Sequence, residues 1–454
     1  MADFRPKLSN QYRRAFDWRL SYGKRDSIDT GATAMTRLAT SDFPDILEDF
    51  LEVSRKRKAN WTALARLQTH MIEELLSQEG AVRHYQTKLK ELQEGRTPAT
   101  DDAEFTRETK FINRELFLYR LYANAVRGIG DGIAWRTLGY DRAVTRLMSE
   151  RETKQWLTSD GLVQELREWS RHFETGTGIA ILNALTNCLA IGDVTVVRPD
   201  DSVEVIEVKN SNTKSGRKVR QKQKMSEVVT ILDKGSGQNQ NRDVRIEVLP
   251  VTPETALDQI EVLLDVASRE AMATKQISNC LYVEALDFVA MEDVEQLHAK
   301  ADRLREAAVG EWQKRGDLVV DMNTLDILAF SPNAAPFSIF PFTARTCVEL
   351  MIGSKFYITY LNLSAVAREF EYRGWTIERR PDQLRPEEIQ ESMMRAAKDG
   401  FHVNLAPADF MRLQVETLRP TTLIQAYDII HKQGPIGPEQ YLLPLFSGES
   451  EIWD

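Results

Sequence analysis

The spacing of apolar residues changes character about one third of the way along the chain. From residue 41, "FPDILEDFLEVSRKRKA" places Phe43, Ile46, Leu47, Phe50 and Leu51 at three- and four-residue steps, which is one face of a helix. Ser41 ahead of it, with Asp42 and Pro44 in the first turn, marks the helix start. The stripe Leu64, Leu67, Met71, Leu75 predicts a longer helix over 61–92, and "EFTRETKFINRELFLYRLYANAVRGIG" predicts the next one after "RTPATDD". Residues 1–40 read as a polar arm and 41–150 as a helical domain without strands, a shape suited to homo-oligomer formation or to a partner protein. "GIGDGIAW" (128–135) reads as a glycine-rich break between helices. No strand precedes it, and its spacing fits neither the dinucleotide nor the P-loop pattern.

From residue 151 helical and strand-like runs alternate. Ser159 caps a helix in "GLVQELREWSRHFE", and "GIAILNALTNCLAI" reads as a second helical run after a Gly-Thr-Gly break. "GDVTVVRPDDSVEVIEVKNS" (192–211) then holds two β-branched runs around a polar turn, a hairpin. A helix at 217–233, a strand in "VRIEVLP", a helix over 253–274, a strand in "NCLYVEAL", a helix over 291–315 and "LVVDMNTLDILAF" complete an α/β domain spanning 151–330. The Pro-rich "SPNAAPFSIFPF" (331–342) reads as a boundary. Beyond it, 331–454 reads as a smaller C-terminal α+β domain, with strand, helix and strand in "FYITYLNLSAVAREFEYRGWTIERR" and helices at 386–398 and 407–417.

Composition narrows the function classes. With 454 residues, 42% apolar and 28% charged, this is an ordinary globular chain with room for more than one domain. A net charge of −9 argues against a generally basic surface, so contact with nucleic acid requires a local patch. Cys188, Cys280 and Cys347 are far apart and lack zinc-site spacing, as in a reducing compartment. The sequence holds no run of 18 apolar residues and opens without an apolar signal core, so a cytoplasmic protein with no membrane span is expected. The six histidines are scattered, and no Gly-x-Ser-x-Gly, His-Glu-x-x-His or Walker lysine occurs.

The chemistry concentrates in the hairpin. Residues two apart on a strand point the same way, so Glu207 and Lys209, at the end of "VEVIEVK", share a face. Asp193 opens the preceding strand. A three-residue loop sets it opposite Glu207, a five-residue loop opposite Lys209, and a four-residue loop puts it on the wrong face unless a bulge intervenes. Two carboxylates held that close repel by roughly several kcal/mol in a partly buried site, and a divalent cation relieves the repulsion. Mg2+, with Mn2+ as a substitute, favours such oxygen ligands together with water and a substrate phosphate. Bound there, it activates water, and Lys209 beside it suits a phosphate or the attacking water. The competing account is a surface hairpin with an ordinary ion pair, against which "VEVIEVK" is too apolar for an exposed strand.

Asp193, then Glu207-Val-Lys209 across a hairpin with a helix on either side, resembles the PD-(D/E)XK nuclease superfamily over about residues 160–250. The resemblance implies a restriction-endonuclease-like core, a mixed sheet flanked by helices, with Mg2+-dependent endonucleolytic cleavage of DNA, less often RNA. Members of the superfamily include effectors of bacterial antiviral defence. Asp193, Glu207 and Lys209 are the catalytic residues it implies, with Asp193 and Glu207 on the metal. Many members add a Gln or Lys from the following helix. Gln221, four residues before Met225 on the apolar stripe, is the choice, with Lys222 and Gln223 as alternatives. Many also add an acid from the preceding helix. Glu174 fits as a metal ligand if that helix runs through "GTG", with Glu165 and Glu168 competing.

From Lys209 to Lys224 there are seven Lys or Arg and no acid, and Lys214, Arg217, Lys218, Arg220, Lys222 and Lys224 form the patch for a nucleic-acid backbone. The superfamily usually has one more strand before the aspartate strand, for which only "CLAIG" is available. The alternative reading is a non-catalytic nucleic-acid-binding or scaffold protein that keeps the nuclease-like fold.

Overall fold

The computed structural model describes residues 36–56, 61–96, 101–149, 157, 161–208, 216–239, 242–291, 294–327, 334–379, 394–405, 407–433, 440–447 and 449–453. The polar arm expected over 1–40 and the capping Ser159 thus fall almost wholly outside the described residues. The architecture is mixed helix and sheet. Helices α1 (Phe43–Arg55), α2 (Trp61–Gln93) and α3 (Asp102–Thr137) make up the first part, and α2 and α3 pack along each other. A short α4 (Arg142–Met148) follows. No helix among the described residues is long and apolar enough to cross a membrane.

The second part opens with α5 (Leu162–Thr175), the antiparallel meander β1 (Ile179–Leu182), β2 (Val194–Val197) and β3 (Val203–Ile206), and α6 (Gly216–Lys234). Then come β4 (Ser236–Asn239) and β5 (Arg242–Leu249), α7 (Leu257–Glu270), β6 (Met272–Gln276), β7 (Leu281–Asp287), α8 (Val294–Lys314) and β8 (Val319–Asn323). The last part contributes α9 (Ala344–Ile352), β9 (Lys355–Asn362), α10 (Leu363–Tyr372), β10 (Thr376–Arg379), β11 (Met394–Lys398), β12 (Phe401–Leu405), α11 (Pro407–Val415), α12 (Pro420–Gln433), β13 (Gln440–Phe446) and α13 (Glu449–Trp453).

Pairing between distant segments crosses the boundary expected at 331. Strand β9 lies between β7 and β8 in a four-stranded antiparallel sheet, and β13 runs parallel to β5. Helix α9 packs on α1 and α3. Arg55, at the end of α1, donates to the carbonyls of Phe342 (2.7 Å) and Phe340 (2.8 Å). One continuous apolar core runs from Leu38 to Trp453.

Several local readings change for physical reasons. "GIAILNALTNCLAI" is not a helix: Gly176 ends α5 at φ +60°, and Ile179–Leu182 pairs with Val194–Val197 as a strand. The end of the helix expected over 253–274 is strand β6, and 394–398, expected helical, is strand β11. Each of these three segments gains a cross-strand partner that local propensity does not record. "GIGDGIAW" is no break, since it lies inside α3. Its glycines allow close approach instead: a Cβ on Gly130 would sit 2.1 Å from the Leu185 carbonyl oxygen. Between them, Asp131 accepts from the backbone N–H groups of Asn187 (2.6 Å) and Cys188 (2.9 Å). Gly130→Ala should therefore lower stability by about 1–3 kcal/mol, the usual range for overpacking. A urea midpoint equal to wild type would refute that contact.

On the four-stranded sheet Glu284 is 1% exposed. Tyr360 donates to its Oε2 at 3.2 Å, and Oε1 has no hydrogen-bond partner among the described residues. Burial pushes this carboxyl up to about 7, against the opposing charge of Arg305. A folded-state value above the unfolded one means that the folded state holds the proton more tightly. The associated stability is complete below about pH 4.5 and is lost as pH rises through 7. Relative to wild type, Glu284→Gln should therefore gain stability between pH 5 and pH 8, by up to roughly 3 kcal/mol. Urea unfolding at the two pH values checks it, and a pH-independent difference contradicts it.

Candidate active site

The hairpin turn resolves the register question. Arg198 N–H donates to Ser202 O (3.0 Å) and Asp201 N–H to Arg198 O (2.9 Å), which leaves a three-residue loop, 199–201. Asp201 takes φ +62° at its end, and Asp200 Oδ1 accepts from Ser202 N–H and Oγ at 3.1 and 2.7 Å. Such a loop, with its last residue left-handed, is a common hairpin connection. The pairs run from Val197↔Val203 to Val194↔Ile206, where the ladder ends, and Asp193 N–H bonds to Ile206 O instead of continuing the register to Glu207. The loop has the three residues that would set Asp193 opposite Glu207, but the pairing stops one step short of that pair.

Asp193 is 9% exposed at the edge of the meander. Its N–H donates to Ile206 O (2.8 Å), and its Oδ2 accepts from Val208 N–H (2.7 Å). The carboxylate therefore lies over the backbone that leads from Glu207 toward Lys209. Gly192 before it adopts φ +73°, and a Cβ there would meet Val205 Cγ1 at 2.5 Å. Glu207 is half-buried.

The preceding helix does not turn Glu174 inward. Helix α5 stops at Thr175, and Glu174 is exposed in its last turn, so the stripe that would have carried it inward does not exist. Glu168 turns outward, pairing with Arg171 and lying 3.4 Å from His172 Nε2. Glu165 is the buried one, at 6% exposure, on the same face as Trp169 and His172. Its carboxyl is pushed up to about 7, first by burial and then by the negative charge of Asp193. The signal was available in the sequence: Glu165 stands four residues before Trp169, on the side of the helix that also carries Leu162 and Leu166.

Lys209 and Lys214 lie outside the described residues, as do the side chains of Arg217, Lys218, Arg220, Gln221 and Lys222. The backbone of α6 covers 216–234, with Val228 and Ile231 buried, and Lys224 is partly exposed. Among the described residues no three His, Cys, Asp or Glu side chains group to hold an ion. The donors present are the buried pair Asp193 and Glu165, hard oxygen ligands whose mutual repulsion a divalent cation would relieve. No protein-family model matches the chain, and no curated protein or solved structure does either.

Proposed function

We propose that the chain is a metal-dependent nuclease that hydrolyses phosphodiester bonds of DNA, with RNA the lesser substrate. The observation that carries this reading is the burial of Glu165 against Asp193. A protein has little reason to bury two acids together unless a cation, or the proton one of them holds, is part of the work. The element order around them supports it: helix, three-stranded antiparallel meander, helix, with Asp193 just before the second strand and Glu207 just after the third. A strand, β1, precedes Asp193 in this order, whereas "CLAIG" is not a strand.

In this reading Asp193 holds Mg2+ or Mn2+ with Glu165, which takes the place first given to Glu174, while Glu207 does not group with these two acids and joins them only on binding the ion. The bound ion supplies an acidified water and a counter-charge for phosphate. Lys209 would orient the attacking water or contact the phosphate, and the basic run from Lys214 to Lys224 would bind the backbone of the nucleic acid. The burial of Glu165 keeps bulk water from screening the pair.

The test is incubation of the protein with supercoiled plasmid, single-stranded DNA and RNA, each with Mg2+, Mn2+ or EDTA. Cleavage of at least one substrate with metal and none with EDTA is expected. Salt-sensitive binding without cleavage under every condition would replace the proposal with the non-catalytic one.

A further inference from the structure

The Asp193 carboxylate owes its position to its main chain, which a buried side chain from another segment holds. Asn183 follows β1 and is 4% exposed. Its backbone N–H donates to Asp193 O at 3.0 Å. Its side-chain Nδ2 donates to Ile191 O (2.8 Å) and Gly192 O (3.1 Å). Its Oδ1 accepts from the hydroxyl of Thr195, which is fully buried, at 2.8 Å. Two carbonyls on one side and a hydroxyl donor on the other fix which end of the amide faces which way. The three residues that lead into and include Asp193 are thus each bonded to Asn183 through their carbonyls.

We infer that Asn183 is a positioning residue for the candidate active site: with Thr195 it latches the 191–193 segment so that Asp193 presents its carboxylate beside Glu165. The inference rests on the nuclease reading for its consequence, though not for its geometry. The 191–193 segment is irregular, since Gly192 is left-handed and Asp193 bonds one residue off the ladder register. Without the Asn183 side chain the carbonyls of Ile191 and Gly192 lose these partners, while the backbone bond from Asn183 N–H to Asp193 O remains. Buried networks of this kind fix one geometry when fully satisfied and lose it when one member is removed. No other residue type carries two donors and an acceptor on so short a side chain, so aspartate or serine at 183 cannot reproduce the set.

The test uses the full-length protein with Asn183→Ala and Thr195→Val, and Thr195→Ser as the conservative variant that keeps the hydroxyl. Mn2+ binding is measured by calorimetry without nucleic acid, the Mn2+ dependence of cleavage is measured separately, and hydrogen exchange is followed across the meander. Asn183→Ala and Thr195→Val should weaken Mn2+ binding about tenfold or more and raise half-saturating Mn2+ for cleavage in step. Thr195→Ser should stay near wild type, and exchange should accelerate at 191–193 and 208 without spreading along 194–197.

Folded variants that bind Mn2+ as wild type does would overturn the inference, even if they melt earlier. If Asn183→Ala does not fold, Thr195→Val decides by the same criterion. If wild type neither binds Mn2+ nor cuts, the nuclease reading fails on its own account. Hydrogen exchange then decides: acceleration confined to 191–193 and 208 upholds the latch, and acceleration spread over the sheet, or none, overturns it.

Discussion

Asp193→Asn should lower metal-dependent cleavage by roughly a thousandfold while leaving the protein at least as stable as wild type. The two halves of this result come from one geometry. Asp193 Oδ2 accepts from Val208 N–H, and an asparagine oxygen accepts the same bond. The substitution therefore keeps that bond. It removes the charge that, after burial, holds the Glu165 carboxyl up near 7, and so relieves a buried repulsion. A group kept for structure would lose stability when neutralised. A group kept for chemistry, at a cost to stability, loses activity alone. Cleavage assays at saturating Mg2+ paired with thermal unfolding read both halves. Retained cleavage would remove Asp193 from the site, and a large loss of stability would make it a structural residue. Glu165→Gln should act in the same direction with a smaller loss, on the order of tenfold to a hundredfold, because Asp193 and Glu207 remain.

The second large effect lies away from the site. Glu416 is wholly buried and accepts from Arg142 Nη2 (2.8 Å) and Arg412 Nε (3.0 Å) through one oxygen. Its other oxygen accepts from Ala335 N–H (3.0 Å). The two guanidiniums lie over aromatic rings, Arg142 on Trp135 at 5.0 Å and Arg412 on Phe446 at 4.6 Å. One carboxylate therefore ties α3, α4, the segment at 335, α11 and β13 together, and it is the counter-charge for two buried cations. Glu416→Gln should lower stability by about 3–5 kcal/mol, the cost of removing one partner of a buried ion pair. The exposed pair Arg198–Glu204 is the control, and Arg198→Ala should change stability by less than about 1 kcal/mol. Urea titration of the two variants beside wild type checks both. A loss at Glu416 no larger than at Arg198 would mean the buried cluster is solvated and carries little.

The long helices were legible because an amphipathic stripe is a local signal. Leu64, Leu67, Met71 and Leu75 need only the helix period to declare themselves, and all four are buried. The hairpin was legible for the same kind of reason, since β-branched runs around "RPDDS" specify strand, turn and strand without help from elsewhere. "GIAILNALTNCLAI" was not legible, because an apolar run without a period suits a buried helix or a buried strand equally. Pairing with Val194–Val197 decided it. The glycines of α3 looked like a break because their reason, the Leu185 carbonyl pressed against Gly130, lies 55 residues further along the chain.

What the sequence determined by itself was a helical first part, strands and helices alternating after residue 151, and a hairpin whose open end carries Asp193 next to the 206–208 segment. These follow from the periods of helix and strand and from turn chemistry, which act over a few residues. The tertiary structure alone decided three things: that β9 and β13 join sheets begun before the Pro-rich stretch, that Glu165 rather than Glu174 faces Asp193, and that Asn183 holds the backbone beneath it. Each depends on which surfaces meet in three dimensions. Burial, and the electrostatics that burial creates, is a property of the packed chain that no local pattern encodes.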